Sequence, residues 1–430
     1  SDAICAYALH LLTRMALPMR FDMSNSDGVR KTNRARVMRL IHDSPGVDRT
    51  ELALSVGVSN AAITNIVNEL LRAGLVQEVD SQHSPGTRGR RRVGLRIDGT
   101  GGYVMGINVL ATNVSIVLAD ICGGVIDEID VNPTQIRDPA RTLSQIQESA
   151  NVVLDRHNVP SDRLFGVGFS VAGYLDAESR SLERAPYLGW PSFDLKKSLQ
   201  RMFGHIVTIE NVTRCIALAE NRFGVLSDVN DMVLIRSALG LGGAVITAGQ
   251  LLRGSQNFGG DMGHLLAVPE GPVCSCGKQG CLNTVASGWA VMHKLGAASK
   301  SYETVNQFRS QNSQLQLLLD AGNADAKAVS KALREAGAAL ATHTMTTLQA
   351  LNPEAVCLTG PLGRHDAYSQ AFRDRLTALG LEARIILASE TEIITPAMAS
   401  VYLALSDMVY SPLFNFTQIS HVSRAEAASR

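Results

Sequence analysis

Between residues 32 and 43, apolar side chains recur at Ala35, Val37, Met38, Leu40 and Ile41, which predicts a helix with one buried side that Pro45 and Gly46 end. A second helix is expected from Asp48 to Gly57, because the Asp48 carboxylate can accept the open N–H groups of the first turn while Glu51 reaches back to it. A third starts at Ser59. Its Ile63, Ile66, Val67, Leu70 and Leu71 follow the spacing of a single apolar stripe, leaving Ala61, Asn65, Asn68 and Arg72 opposite and Asn60 and Thr64 near the N-terminal end. Gly74 closes this helix, and "LVQEVD", the turn-rich "SQHSPGTRGRRR" and "VGLRI" read as strand, loop and strand.

Three short helices followed by a two-stranded ribbon describe a winged helix-turn-helix. From Gly101 the pattern changes to "YVMGINVL", "NVSIVLAD" and "GGVIDEIDV" as three consecutive strands, a helix over 139–157, and buried strands at "LFGVGFSVAG" and "HIVTIEN". The helix "RCIALAENRFG" follows, then a glycine-centred hairpin in "DMVLIRSALGLGGAVITAGQLL", a buried strand at "PEAVCLTG" and an apolar last helix, "PAMASVYLALSDMV". Alternating strands and helices predict a mixed α/β architecture after the winged helix. No internal repeat is visible, and residues after about 412 read as frayed.

Charge sharpens the first module. The chain has 40 basic and 40 acidic side chains, yet residues 30–96 hold twelve Lys/Arg against six Asp/Glu, so that segment alone is suited to an anionic partner. On a DNA duplex, the third helix would present Ser59, Asn60, Ala61, Thr64 and Asn65 to base edges in the major groove. Arg88, Arg90, Arg91 and Arg92 would reach phosphates or the minor groove from the wing, with the salt dependence that counterion release imposes.

Seven cysteines, an odd count without a disulfide-like framework, suit a reducing compartment, and a cytoplasmic location is expected. The apolar stretch "AICAYALHLLTRMALPM" is interrupted by His10, Arg14 and Pro18 and is too short to span a membrane. Residues 1–22 are read as an extension upstream of Met23, or alternatively as a helix that packs on a partner chain.

Three of the cysteines fall in "CSCGKQGC". Cys274, Cys276 and Cys281 have CxCx4C spacing, Gly277 and Gly280 allow a tight knuckle, and His264 follows a glycine upstream. Three thiolates and an imidazole form a closed tetrahedral set, the pattern of a structural zinc ion.

With "GRRRVGL", "VGFSVAG", "APYLGW", "IEN", "AENRFG", "LRGSQNFGGDMGH" and "CSCGKQGCL" in this order, the chain resembles the ROK family, which groups bacterial repressors with sugar kinases. The resemblance covers about residues 30–410 and implies a two-lobed, actin-like and ribonuclease H-like domain behind the winged helix, which is found only on the family's regulator branch. It places the boundaries at 1–29 for an N-terminal extension, 30–98 for the winged helix, 99–215 with 390–412 for the first lobe, 216–389 for the second lobe with its zinc knuckle, and 413–430 for a tail.

The resemblance also implies a sugar site and tests for catalysis. Where kinases of the family carry Asp-Ile-Gly-Gly-Thr, this chain has Asn108, Val109, Leu110, Ala111 and Thr112. The second phosphate loop is Ala238, Leu239, Gly240, Leu241, Gly242, Gly243 and Ala244; a family Gly-Gly is Thr359-Gly360; and the Glu-Asn-Asp that supplies the base is Glu210, Asn211 and Val212. Valine has no atom that accepts a proton, so phosphoryl transfer is not expected. Gly173, Asn211, Asp261, His264 and Asn283 match the positions that contact sugar hydroxyls in relatives, with Asp261 and Asn283 replacing glutamates and Tyr187 replacing an asparagine. The expected protein is a non-enzymatic DNA-binding repressor of carbohydrate genes, a homodimer or tetramer on operator DNA, controlled by a sugar or sugar derivative. A sugar kinase with a divergent site and a regulator answering to a protein partner are the alternatives.

Overall fold

A computed structural model describes residues 26–80, 93–177, 181–204, 206–298, 305–320 and 326–414. The first 22 residues and the wing arginines 88 and 90–92 lie outside them, as does most of the predicted tail.

The N-terminal module contains α1 (Ser26–Asp43), β1 (Val47–Asp48), α2 (Arg49–Val56), α3 (Asn60–Arg72), β2 (Val76–Asp80) and β3 (Val93–Ile97). Asp48 caps α2 as expected: its Oδ1 accepts from the Thr50 and Glu51 N–H groups, and Glu51 Oε2 accepts from the Asp48 N–H. Gly57 ends the helix at φ 78°, a left-handed conformation that costs glycine little. The ribbon is a three-stranded sheet in the order β1-β3-β2, one strand more than the pattern indicates, with Gly94 pressed against Gly46 where a Cβ would meet the Gly46 carbonyl oxygen at 2.6 Å. Two boundaries also move. Helix α1 begins at Ser26, inside the predicted extension, and Asp27 in its first turn pairs with Lys31 one turn on. Phe414, assigned to the tail, is buried, and its carbonyl accepts from Arg34 of α1 at 2.6 Å.

Two five-stranded sheets form the rest. The first holds β4 (Tyr103–Val109), β5 (Val114–Asp120), β6 (Val125–Val131), β7 (Leu164–Val171) and β10 (Val207–Asn211) in the order β10-β7-β4-β5-β6, with α4 (Pro139–Arg156) packed on β5 and β6. The hairpin β8 (Tyr174–Leu175) and β9 (Leu182–Arg184) and helix α5 (Leu195–Phe203) lie between β7 and β10 in the chain. Helix α6 (Val212–Phe223) follows β10 directly. The second sheet holds β11 (Met232–Ser237), β12 (Leu241–Thr247), β13 (Gln250–Leu251), β14 (Ala355–Thr359) and β15 (Arg384–Leu387) in the order β13-β12-β11-β14-β15. In each sheet the first three strands form an antiparallel meander, and the remaining two add in parallel to the other edge of the first strand. The lobes therefore repeat one topology, although their sequences show no repeat.

Helices α7 (Asn283–Ala286), α8 (Gly288–Lys294), α9 (Val305–Leu319), α10 (Ala326–Leu351), α11 (Gly360–Gly363) and α12 (Asp366–Ala378) accompany the second sheet. Helix α13 (Pro396–Ala404) returns to the first lobe and crosses β4 and β7 so closely that a Cβ on Gly168 would lie 1.9 Å from the Ser400 carbonyl oxygen, and one on Gly106 2.6 Å from the Val401 nitrogen. One apolar cluster runs from Met38, Ile41 and Leu70 of the winged helix through Phe165 and Val117 to Val401 and Tyr410, so the DNA-type module and the first lobe share a core.

Candidate functional site

Between the lobes lies a cavity of ≈ 350 Å³, within the range of small-molecule sites. Its floor is the junction of β10 with α6. Asn211 has extended backbone and caps α6: its Oδ1 accepts from the Thr213 N–H at 2.9 Å and the Arg214 N–H at 3.4 Å, while Nδ2 donates to the Gly173 carbonyl at 2.9 Å. The asparagine is thus needed to start the helix and to fix the β7–β8 turn, independently of any ligand. Val212, the first residue of α6, is 3% exposed and lines the cavity with an isopropyl group where the base would stand.

The loop 252–261 of the second lobe closes over this floor. Glu210 pairs with Arg253 at 2.7 Å, Arg214 donates to Asn257 Oδ1 at 2.7 Å and to the Gly259 carbonyl at 2.9 Å, and Asn257 Nδ2 donates to the Leu175 carbonyl at 2.8 Å. Tyr174 donates its hydroxyl proton to Asp261 Oδ2 at 2.9 Å; burial and the adjacent carboxylate push the phenol well above its ordinary pKa, so it stays a donor. Asp261 and His264 both face the cavity. Of this network only Glu210 and Asp261 stand out in the sequence; Tyr174, Arg214, Arg253 and Asn257 read there as ordinary loop and helix residues.

Asn283 stands one layer back from its expected place. It is completely buried and absent from the cavity wall: Oδ1 accepts from the Leu241 N–H at 2.6 Å, and Nδ2 donates to the Tyr187 hydroxyl at 3.2 Å. Its amide is occupied by the β11–β12 turn, and Tyr187 reaches the cavity in its stead. Burial pushes the Tyr187 phenol up to about 12, and a Cβ on Gly240 would lie 2.5 Å from its oxygen, which explains the glycine there.

The two former phosphate loops are filled by other contacts. Asn108 is buried and its Oδ1 accepts from Ser170 Oγ at 3.0 Å, so this position offers no carboxylate to a magnesium ion. Leu239 lines the cavity with a buried alkyl chain. Gly360 has φ 91°, and a Cβ there would meet the Ser237 carbonyl oxygen at 2.3 Å, so close backbone packing accounts for this glycine without a nucleotide.

Beside the cavity, one ligand atom each from His264, Cys274, Cys276 and Cys281 lies within 4.8 Å of the others. Cys276 and Cys281 Sγ are 3.6 Å apart and His264 Nδ1 is 3.5 Å from Cys274 Sγ, close to the roughly 3.8 Å edge of a tetrahedron with metal–sulfur bonds of about 2.3 Å. Gly277 and Gly280 take positive φ to close the knuckle, and a Cβ on Gly280 would strike the Val268 carbonyl. The four groups fit one metal ion. Ser275, inside the knuckle, donates to the Tyr187 hydroxyl at 3.5 Å, so the cluster and the cavity share a wall.

In the winged helix, Ser59 caps α3 by accepting from the Ala62 N–H, while Asn60, Ala61, Thr64 and Asn65 are exposed along its first two turns. Among the described residues no helix is long and apolar enough to cross a membrane.

Comparison with known proteins agrees with both modules. The MarR family model matches residues 32–84 and the ROK family model residues 104–393. The chain is 30% identical to the xylose repressor of Caldicellulosiruptor bescii, over 63% of this chain and 67% of that one, and 25% identical to the N-acetylglucosamine repressor of Escherichia coli O157:H7, over 80% and 84%. A ROK family transcriptional regulator, a homologue of the E. coli MLC protein, superposes with TM-score 0.70 at 23% identity, covering 90% of this chain and 98% of its own. A Streptomyces griseus ROK glucokinase superposes with TM-score 0.56 at 20% identity, covering 71% and 100%. The kinase-like fold is thus common to both branches, whereas the N-terminal module and the lost base set this chain with the regulators: it belongs to the ROK family.

Proposed function

We propose that the protein is a sugar-responsive transcriptional repressor whose kinase-like domain binds its effector without phosphorylating it. One observation carries this reading: helix α6 begins at the cavity and ends against the DNA-type module. At its C-terminus, Arg39 of α1 donates to the Arg222 carbonyl and stacks on the Phe223 ring with its guanidinium carbon 4.4 Å from the centroid, while His42 sits edge-on to the same ring. At its N-terminus, Val212, Thr213 and Arg214 line the cavity. A ligand that shifts this rod of 12 residues, about 18 Å long, moves the base of the winged helix directly. The effect on operator affinity then equals the ligand's difference in affinity between the two placements.

In this reading Asn60, Ala61, Thr64 and Asn65 face base edges, Ser59 sets the helix start, and the wing arginines Arg88, Arg90, Arg91 and Arg92 take phosphates. Gly173, Asn211, Asp261 and His264 hold the sugar, and Asn283 positions Tyr187. Zinc is the ion suited to the His264, Cys274, Cys276 and Cys281 set, the working units are the winged helix and the two lobes with the divisions near residues 98 and 215, and the protein acts in the cytoplasm as a symmetric dimer on an inverted repeat. The repressor names of the relatives support the regulatory role.

A gel-shift titration with DNA from upstream of its own gene tests this. The native protein should form a sequence-selective complex that weakens steeply with salt, and Asn65→Ala should lose about 1–3 kcal/mol of discrimination at the base it reads. A complex insensitive to both sequence and salt would overturn the reading. A sugar panel added to the preformed complex should alter its affinity; none doing so would leave a protein partner as effector.

Restoring the acid does not restore an enzyme. Val212→Asp should show no sugar-dependent ATP turnover at high protein concentration, because Asn108 and Leu239 still deny the site its metal carboxylate and its phosphate-facing hydroxyl. Measurable phosphorylation by that single variant would refute this account of the site.

A further inference from the structure

Arg236 stands one residue before the end of β11 and lines the cavity between the lobes. The other acidic, basic and imidazole groups on that wall are engaged: Glu210 by Arg253, Arg214 by Asn257 and Gly259, Asp261 by Tyr174, and His264 by the cysteine cluster. Among the described residues, by contrast, no acceptor or carboxylate pairs with the Arg236 guanidinium. The charged neighbour acting on it is Arg364, of the same sign, at the end of α11. Burial, aided by Arg364, lowers its pKa to about 10, which leaves it a cation at neutral pH. Nearby in sequence and also on the wall are Ala238 and Leu239, which offer no charge, and Pro361 adds a further apolar surface.

A cation held in a partly dry wall without a counter-ion is unfavourable, and the favourable complement is an anion delivered by the ligand. Neutral sugar hydroxyls can accept hydrogen bonds from the guanidinium but cannot balance its charge. The rest of the cavity has the opposite character: Asn211, Asp261, His264 and Tyr187 are neutral or already paired polar groups suited to hydroxyls. The two chemistries are presented to a single space of ≈ 350 Å³.

We propose that the effector is an anionic sugar derivative, its ring on the Asn211, Asp261 and His264 side and its phosphate or carboxylate against Arg236. This rests on the reading of the cavity as a sugar site and adds the charge of the occupant. A planar guanidinium offers two parallel N–H donors to either oxyanion, so phosphate and carboxylate share the recognition chemistry. The regulator would then sense a sugar after a phosphorylating or an oxidising step, not the free sugar.

Isothermal titration of the full-length protein with matched ligands separates the possibilities. The panel comprises free hexoses and N-acetylhexosamines, their 6-phosphates, the corresponding aldonic and uronic acids, and inorganic phosphate alone. At least one anionic sugar should bind about ten- to a hundredfold tighter than its neutral parent, the range of one hydrogen bond to a charged group. Which arm does so identifies phosphate or carboxylate as the anion. Arg236→Gln should abolish that preference, and Arg236→Lys, which keeps the charge, should retain part of it. Neutral sugars binding as tightly as their anionic partners, with a ratio unmoved by either substitution, would overturn the anion assignment and leave the sugar reading standing. If no sugar of either kind binds, both fail together.

Discussion

With zinc in the His264, Cys274, Cys276 and Cys281 cluster as proposed, Cys281→Ser should lose the metal and lower the melting temperature by about 10 °C, which for a chain of this size corresponds to a few kcal/mol. Structural zinc sites contribute folding energy directly, and here the metal would add to a knuckle that backbone bonds such as Cys274 N–H to Lys278 and Gly280 N–H to Pro272 already close. Cys281 is buried, pairs in an isolated bridge with Leu266, and sits in a knuckle otherwise closed by two glycines with positive φ. Burial, reinforced by Cys274, pushes its thiol up to about 12, so without a metal this sulfur remains protonated at neutral pH. A metal must displace that proton and those of its neighbours, and metal retention should accordingly weaken as pH falls. The consequence reaches the cavity because Ser275 contacts Tyr187 and His264 belongs to both sites. Elemental analysis should find about one zinc per native chain and none in the variant, and the variant should lose effector binding as well as stability. A variant that melts with the native protein would show that the knuckle is held by its backbone alone.

How much of this was legible in the residues depended on whether the controlling contact was local. The capping box of α2 and the apolar stripe of α3 are determined within four or five positions, and they occur where the pattern predicts them. Strand β1 has two residues, too few for any periodicity, and exists because β3 reaches across to it. The repetition of one topology in both lobes leaves no sequence trace, since buried strands require only apolar side chains and closely fitted glycines such as Gly106 and Gly168, which two lobes can satisfy with unrelated residues. The metal cluster was readable because its donors are nearly contiguous. The type of Asn283 suits a ligand contact, but the sequence does not reveal that its amide meets Leu241 and Tyr187, more than 40 residues away in the chain. The pairing of Arg214 and Arg253 with Glu210 is not visible in the sequence; it arises at a junction that only the folded chain creates.

Glu210→Gln should destabilise the protein by about 1–3 kcal/mol, the cost of leaving a buried charged donor short of its acceptor. The Glu210 side chain is 2% exposed, with Oε2 at 2.7 Å from Arg253, Oε1 accepting from the Asn211 N–H at 2.9 Å, and Arg214 at 4.0 Å. The two arginines differ in what they would lose. Arg253 is 34% exposed and can recover water, whereas Arg214 is 6% exposed, donates to the neutral oxygens of Asn257 and Gly259, and cannot recover water. The penalty should therefore lie with Arg214, and its removal from the glutamine variant should relieve it. A Glu210→Gln/Arg214→Met double variant is expected to unfold at a higher denaturant concentration than Glu210→Gln alone, since apolar replacement of a buried pair is often neutral or stabilising. Because Glu210 belongs to the first lobe and Arg253 to the loop that carries Asp261, the same single substitution should also weaken effector binding, with the loop no longer fixed against the mouth of α6. Equal stability of Glu210→Gln and the native protein in denaturant titration would mean that the lobes are not held together by this charge, and that the path from cavity to winged helix does not pass through it.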